Sequence, residues 1–463
     1  MEILNPEDTF LVDLFNLEPD DVRSIRYESR HPHAIFHIVL AQKNDPCPHC
    51  GHTHPKIKNY ILKQIRHSAL EQRSCLIYYK ARRYICPLCH RSYYEYNPFV
   101  FNRSRISTMT VIQCLEQLRS FNETFTSVAR RNNISPTSVC SIFDQHVHIS
   151  RKPLPEILNI DEVYAFRSST SKYICVLLDH LTQTPVDILP DRKFNYLKAY
   201  FDAIPEHEKK KVRIVCTDMY ETYRSIIHQI FPQVIHAVDH YHMSQELHRK
   251  LNAVRIRIMK GYGKEDPGYY VLKKFNWLLF KNRNACDDKG PLFDVERERK
   301  YNHHYKRYMN YYDLREEILQ TDDSLKEAYR LKNTFDDFYE NNDLDSAPKA
   351  IQPVIRDFLA SSIEEMNAFG NTLIRWKSEI IHSFHIVKKE YHINKEDGHV
   401  DIHNKRISNA IIENRNKVIK CIKNNANGYR NWQRYRNRLM YVLDPKQTYY
   451  LDPIQEEKEN ENK

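Results

Sequence analysis

No apolar run of about 18 residues or more occurs in the 463-residue chain, so a membrane-spanning helix is not expected. The opening residues, MEILNPEDTF, are acidic and lack a basic head followed by an apolar run, which argues against a secretory signal peptide. A regular, even-numbered cysteine framework is also missing. The eleven cysteines are an odd number scattered over a long chain, unlike a secreted disulfide scaffold. These absences predict a cytoplasmic protein with no membrane partner.

The length exceeds one ordinary core and predicts roughly two to four domains. Seventy Lys and Arg against 60 Asp and Glu give a net charge of +10, with 31 Tyr and 20 Phe interleaved among the bases. That mixture favours a nucleic-acid partner over an acidic protein, although charge alone also suits a basic protein with no polyanion partner.

Four cysteines pair as Cys47-Pro48-His49-Cys50-Gly51 and Cys86-Pro87-Leu88-Cys89-His90. Two C-x-x-C turns supply four thiolates, the donor set for one structural Zn²⁺. Between them Lys56–Ile65 and Cys75–Tyr84 alternate as strands should, predicting a zinc ribbon over 46–100 after a lead-in over 1–45. Arg82 and Arg83, beside Tyr78, Tyr79 and Tyr84, could hold DNA phosphates or could be a solvated strand face. Over 101–152 the pattern turns helical. Phe125 to Val139 has helix-turn-helix spacing, with Ala129 inside the first helix, Asn133 at the turn, Ser135 as cap and Pro136 at the first helical position. The second helix would bring Ser135, Thr137 and Ser138 to DNA; a plain helical linker is the alternative.

From 153 to 243 strands alternate with helices. Asp161 interrupts the strand Glu156–Tyr164, and an acid in mid-strand needs a charged partner. The run Val212–Thr217 stops on Asp218, an amphipathic helix follows, and Val234–Val238 stops on Asp239, with His240 and His242 next. Three strands, helix, strand, helix, strand is a ribonuclease-H-like α/β order, in which carboxylates from adjacent central strands converge. Residues 244–400 read as a large, charged, helical insertion. Over 401–455 chemistry returns: Lys405 to Lys420 reads as a helix carrying Glu413, Lys417 and Lys420, and Arg430, Arg434 and Arg436 are interleaved with aromatics as in strand-gripping segments. The tail 456–463 is polar and predicted disordered.

These motifs together resemble the insertion-sequence transposases of the ISL-three group, which have a DDE core. The resemblance rests on the paired cysteines, the helix-turn-helix, Ile160-Asp161-Glu162, Thr217-Asp218-Met219-Tyr220, Val238-Asp239-His240-Tyr241-His242, the Ser408-Asn409 to Asn416-Lys417 stretch, and Gly428-Tyr429-Arg430-Asn431-Trp432. It implies Asp161, Asp218 and Glu413 as a catalytic triad holding two Mg²⁺ or Mn²⁺ ions, with Asp239 and His242 supporting rather than ligating. Ala410 and Asn414 stand where the family tends to have Gly, and Asn424 where a base is usual, but no carboxylate is lost. The implied activity is binding of terminal inverted repeats, cleavage at the element ends and joining of the 3′-hydroxyl to target DNA, by a homodimer or larger assembly. Two other functions fit the same residues: a DNA-binding regulator with an inactive core, and a ribonuclease-H-like nuclease or resolvase.

Overall fold

The computed structural model describes residues 6–15, 17–43, 45–70, 73–101, 104–166, 171–393 and 400–451. The expected disordered tail, 456–463, lies outside them. Helix α1 (Pro6–Leu14) precedes β1 (Val22–Arg30) and β2 (His33–Leu40), the long hairpin β3 (Lys56–Leu70) and β4 (Arg73–Ile85), and the short β5 (Ser92–Tyr94). All five strands form one sheet, with β2 parallel to the first half of β4 and β5 antiparallel to its end. Residues 1–45 are therefore not merely a lead-in. Ala34, Phe36 and Ile38 alternate on β2 and bury against Ile65, Ile77 and Tyr79, so this segment completes the hairpin's own core.

Three short helices follow: α2 (Thr108–Gln117), α3 (Phe125–Arg131) and α4 (Pro136–His146). Their ends are set by local chemistry. Ser107 accepts from Thr110 N, Thr124 and Ser127 form a capping box, and Ser135 accepts from Ser138 N with Pro136 opening α4. Asn133 makes the α3–α4 turn at φ +53°. The far end of the β3–β4 hairpin is fastened to this unit, because Ser68 N donates to Thr110 Oγ1 (2.8 Å) and Ser68 Oγ to Asn132 Oδ1 (2.8 Å).

The central sheet comprises β6 (Ile157–Tyr164), β7 (Tyr173–Asp179) and β8 (Pro185–Leu189). After α5 (Phe194–Asp202) and α6 (Glu206–Lys209) come β9 (Ile214–Thr217), α7 (Glu221–Ile230) and β10 (Ile235–Val238). The order is β10-β9-β6-β7-β8, with β6, β9 and β10 parallel and β7 antiparallel to both its neighbours. Two faces follow from the strand period. Leu158 and Ile160 point toward α5 and α7, among Leu197, Phe201, Ile226 and Ile227. Val163, on the opposite face with Asn159 and Asp161, packs into a second core.

The insertion opens with α8 (His240–Met259) and α9 (Pro267–Lys274). Two small hairpins follow, β11 (Cys286–Asp287) with β12 (Gly290–Pro291) and β13 (Lys300–Asn302) with β14 (Arg307–Met309). Helices α10 (Tyr311–Leu319), α11 (Asp323–Asn341), α12 (Ala347–Ala360), α13 (Glu364–Arg375) and α14 (Lys377–His382) complete it around Leu247, Phe335, Phe358 and Phe369. The strands β15 (Ile386–Ile393) and β16 (Val400–Arg406) then return toward the sheet. Lys405 and Arg406, expected at the start of a helix, are the end of β16 instead. Arg406 is held there by the carbonyls of Tyr339 and Asn342, both at 2.6 Å. The helix begins later, as α15 (Ala410–Asn425), and α16 (Trp432–Leu443) follows. Ile412, Ile419, Tyr435 and Leu439 from these two helices fill the core between the sheet's second face and the three-helix unit.

Candidate active site

The register of the parallel strands aligns three acids. Asn159 on β6 pairs with Cys216 on β9, and Val238 on β10 pairs with Thr217. Continuing by one or two residues sets Asp161, Asp218 and Asp239 side by side across three neighbouring strands, where the ends of parallel strands open onto a crevice. Asp239 N donates to Thr217 O (2.9 Å), which keeps the row in step.

Glu413 comes to this row from α15, and a cluster of asparagines sets its position. Asn159 Nδ2 donates to Ser408 O (2.8 Å) and to Asn409 Oδ1, while Asn409 Nδ2 donates to Ile160 O (3.2 Å). His180 Nδ1 in turn donates to Asn159 Oδ1 (2.8 Å). In the second turn of the helix, Asn416 Nδ2 donates to Asp161 Oδ2 (2.8 Å). The start of α15 is thus clasped to β6 immediately beside Asp161. Donor atoms of Glu413, Asp239 and His242 lie within 4.8 Å of one another.

The electrostatics are those of acids crowded in a buried place. Burial, followed by the neighbouring Asp218, pushes Asp161 up to about 7; Glu413 and Asp239 add to this and His242 opposes it. Asp218 is raised chiefly by burial, against the pull of His242, the Tyr220 N–H and Arg192. Burial also raises Asp239, which is 1% exposed. Its Oδ2, and Nε2 of His242 3.9 Å away, are buried with no hydrogen-bond partner among the described residues. Such orphaned acceptors amid mutually repelling carboxylates suit a hard divalent cation. The cleft beside Asp218 is lined by His242, Arg249, Arg375 and Trp376.

A family model described as a transposase, of the DDE type and the ISL-three group, matches residues 158–439, which carry all of these groups. The chain belongs to this transposase family. A curated relative, the transposase for insertion sequence element IS1001 of Bordetella parapertussis, is 22% identical over 246 residues, 52% of this chain. The match spans 60% of that relative's length. Membership implies a ribonuclease-H-like core, and the mixed sheet with its flanking helices agrees.

Upstream of the matched region, this transposase-family chain brings Cys47, Cys50, Cys86 and Cys89 together. Cys47 Sγ lies 3.7 Å from Cys89 Sγ, and Cys50 Sγ 3.5 Å from Cys86 Sγ. Four sulfurs bound tetrahedrally at zinc distances would be about 3.8 Å apart, so the set fits one Zn²⁺. Both turns close with left-handed residues, Gly51 at φ +73° and His90 at φ +56°. The Cys89 N–H, 3.5 Å from Cys86 Sγ, holds that thiol down to about 7.

The residues expected on DNA divide into two groups. Thr137 on α4, Lys417 and Lys420 on α15 and Arg430 before α16 are exposed; Ser135 is also exposed but caps α4, and Ser138 is half-buried. Arg83 donates to Ser92 Oγ (3.0 Å) and lies over the Tyr94 ring. Three arginines are turned inward instead. Arg82 binds Glu95 (2.8 Å) and the carbonyls of Leu40 (2.7 Å) and Ala41 (3.2 Å), where β2 and β5 both end. Arg434 forms a two-pronged pair with Asp144 of α4, at 2.5 and 2.9 Å. Arg436 is 9% exposed, with Nε 2.7 Å from Asp187 Oδ1 and Nη1 2.6 Å from Ile149 O. A carboxylate claims each of them, nearly buried for Arg82 and Arg436 and partly exposed for Arg434. Sequence reasoning missed Asn159 and Asn416. Both were detectable: Asn159 shares a strand face with Asp161, and Asn416 lies one turn past Glu413. It also missed Arg192, which sits between the Tyr173 and Tyr220 rings beside Asp218.

Proposed function

We propose that the chain is a DDE transposase that binds the terminal inverted repeats of its insertion sequence, cleaves DNA at the element ends and joins the 3′-hydroxyl to target DNA. The observation that carries this reading is the row of Asp161, Asp218 and Asp239 with Glu413 brought beside it. Mg²⁺ or Mn²⁺ held by Asp161, Asp218 and Glu413, with Asp239 and His242 supporting, would activate the attacking oxygen and neutralise charge on the leaving one.

The chain's own residues act by position. Asn416 fixes one oxygen of Asp161, Tyr220 N fixes one of Asp218 (3.2 Å), and the Asn159–Asn409 clasp fixes the helix that carries Glu413. Arg249 and Arg375, on the cleft wall, would meet backbone phosphates. In the first step a water oxygen bonds to phosphorus and the P–O3′ bond breaks, leaving a 3′-hydroxyl. In the second, that hydroxyl oxygen bonds to a target phosphorus and displaces a target 3′-oxygen. One phosphodiester is exchanged for another, so the joining step needs no ATP. The helix-turn-helix of α3 and α4 would read the repeats with Ser135, Thr137 and Ser138, supported by the zinc-bound hairpin, and Lys417, Lys420 and Arg430 would hold the backbone. Two ends must be brought together, so the active form is a homodimer or larger.

The test is Asp218→Asn, with cleavage of end-containing duplex in Mg²⁺ measured beside a gel shift on the same DNA. The expected outcome is lost cleavage with binding unchanged, and cleavage that survives in the variant sinks the assignment. Parent protein that binds ends but never cuts would be a regulator. Cutting of branched DNA without regard to terminal sequence would make it a nuclease or resolvase.

A further inference from the structure

Besides the four cysteines and the catalytic row, a third cluster of metal-ligating side chains lies where the insertion meets the sheet. His228 stands on α7, His236 on β10 and Glu379 on α14, and one donor atom from each lies within 4.8 Å of the others. His236 and Glu379 are buried, at 2% and 1% exposure. His228 faces solvent.

Hydrogen bonding sets the tautomer of His236. The Thr217 hydroxyl donates to Asp218 O (2.8 Å), so its lone pair must receive the Nε2–H of His236 (2.9 Å). Nδ1 therefore carries a lone pair, and it has no hydrogen-bond partner among the described residues. What it faces is Glu379 Oε1 at 3.8 Å, another acceptor and too far for a hydrogen bond. Glu379 Oε2 is also buried without a partner. His228 Nε2 completes the set 3.4 Å from Glu379 Oε1. Donors bound tetrahedrally at zinc–nitrogen and zinc–oxygen distances would be about 3.3 Å apart, close to these separations.

The surroundings keep His236 neutral. Burial holds it down to about 3, with His228, His382 and Arg224 adding to the effect. His382 uses Nδ1 on the carbonyl of His236 (2.8 Å) rather than on the cluster. Arg224 touches the cluster, its Nε 2.8 Å from Glu379 Oε1 and its guanidinium over the Trp376 ring. Glu379 Oε2 and His236 Nδ1 are left without a hydrogen-bond partner among the described residues.

We infer that His228, His236 and Glu379 form a binding site for a divalent transition metal of the zinc class, with the fourth position open to water on the His228 side. Imidazole and carboxylate donors suit Zn²⁺ better than Mg²⁺, which separates this site from the carboxylate row. The ion would tie α14 of the insertion to β10. Through the other nitrogen of His236, it would also brace Thr217 and the carbonyl of Asp218.

The test is equilibrium dialysis of the full chain against Zn²⁺ in excess Mg²⁺, comparing the parent with His228→Ala, a solvent-facing substitution that leaves the buried pair in place. The expected result is one fewer Zn²⁺ per chain in the variant. After Co²⁺ loading, the difference spectrum should show nitrogen–oxygen ligation without a thiolate charge-transfer band. Equal stoichiometry in the two proteins, or a thiolate band in the difference, overturns the assignment. Neither readout depends on DNA cleavage, so it stands or falls separately from the transposase reading.

Discussion

Helices α15 and α16 are neighbours in sequence and both carry several basic residues, yet Lys417 and Lys420 on the first and the arginines of the second face opposite ways. On α15, Lys417 and Lys420 are exposed while Glu413 is directed toward the catalytic row. On α16, Arg434, Arg436 and Arg438 are directed inward, and Arg438 is fully buried against the carbonyls of Ser120 (2.8 Å) and Glu123 (3.0 Å). The composition of a basic helix does not reveal which way it faces. That is decided by whether distant parts of the chain supply acceptors for it, here the partly exposed Asp144, the buried Asp187 and the carbonyls of the α2–α3 turn.

The contrast can be broken at its strongest point first. Arg436→Ala leaves Asp187 buried beside Tyr200, whose hydroxyl donates to Oδ2 at 2.9 Å, without its cation. The expected loss is about 3–5 kcal/mol in denaturant unfolding. Replacing both members of the pair with leucine should recover much of it, whereas a DNA-facing arginine would show no such recovery. Arg434→Ala removes a pair whose side chains are 26% and 38% exposed, so about 1 kcal/mol or less is expected. Its DNA affinity should keep the parental salt dependence. The Lys417→Ala/Lys420→Ala double variant should unfold within about 0.5 kcal/mol of the parent. It should also flatten the slope of log affinity against log salt by about 1.8, the signature of two lost phosphate contacts. An unchanged slope would place α15 away from DNA and erase the contrast.

Much of this architecture is legible from local signals. Paired C-x-x-C turns, the Ser135-Pro136 start of α4, and strands that stop on Asp218 and Asp239 are each encoded within a few residues. The insertion is less so. Its small hairpins are two- and three-residue strands, too short for a period to register. The neighbours of Asp239 are hidden for a different reason. Its place beside Asp218 depends on β10 pairing with β9, and its nearness to Glu413 on a helix arriving from the far side of the insertion. Neither relation has a local signature. The inward arginines are hidden in the same way, since Arg436 and Asp187 meet only once the sheet and the C-terminal helix are both in place.

The position of α16 also bears on the order of assembly. It lies between the sheet, through Arg436, and the three-helix unit, through Arg434 and Arg438. Both of those bodies are made early on the ribosome, and the helix that joins them is made after the whole insertion. Until it emerges, the N-terminal helices and the carboxylate row can each be folded without being locked together. A nascent chain stalled within the insertion would therefore carry its parts but lack the clamp that fixes one to the other.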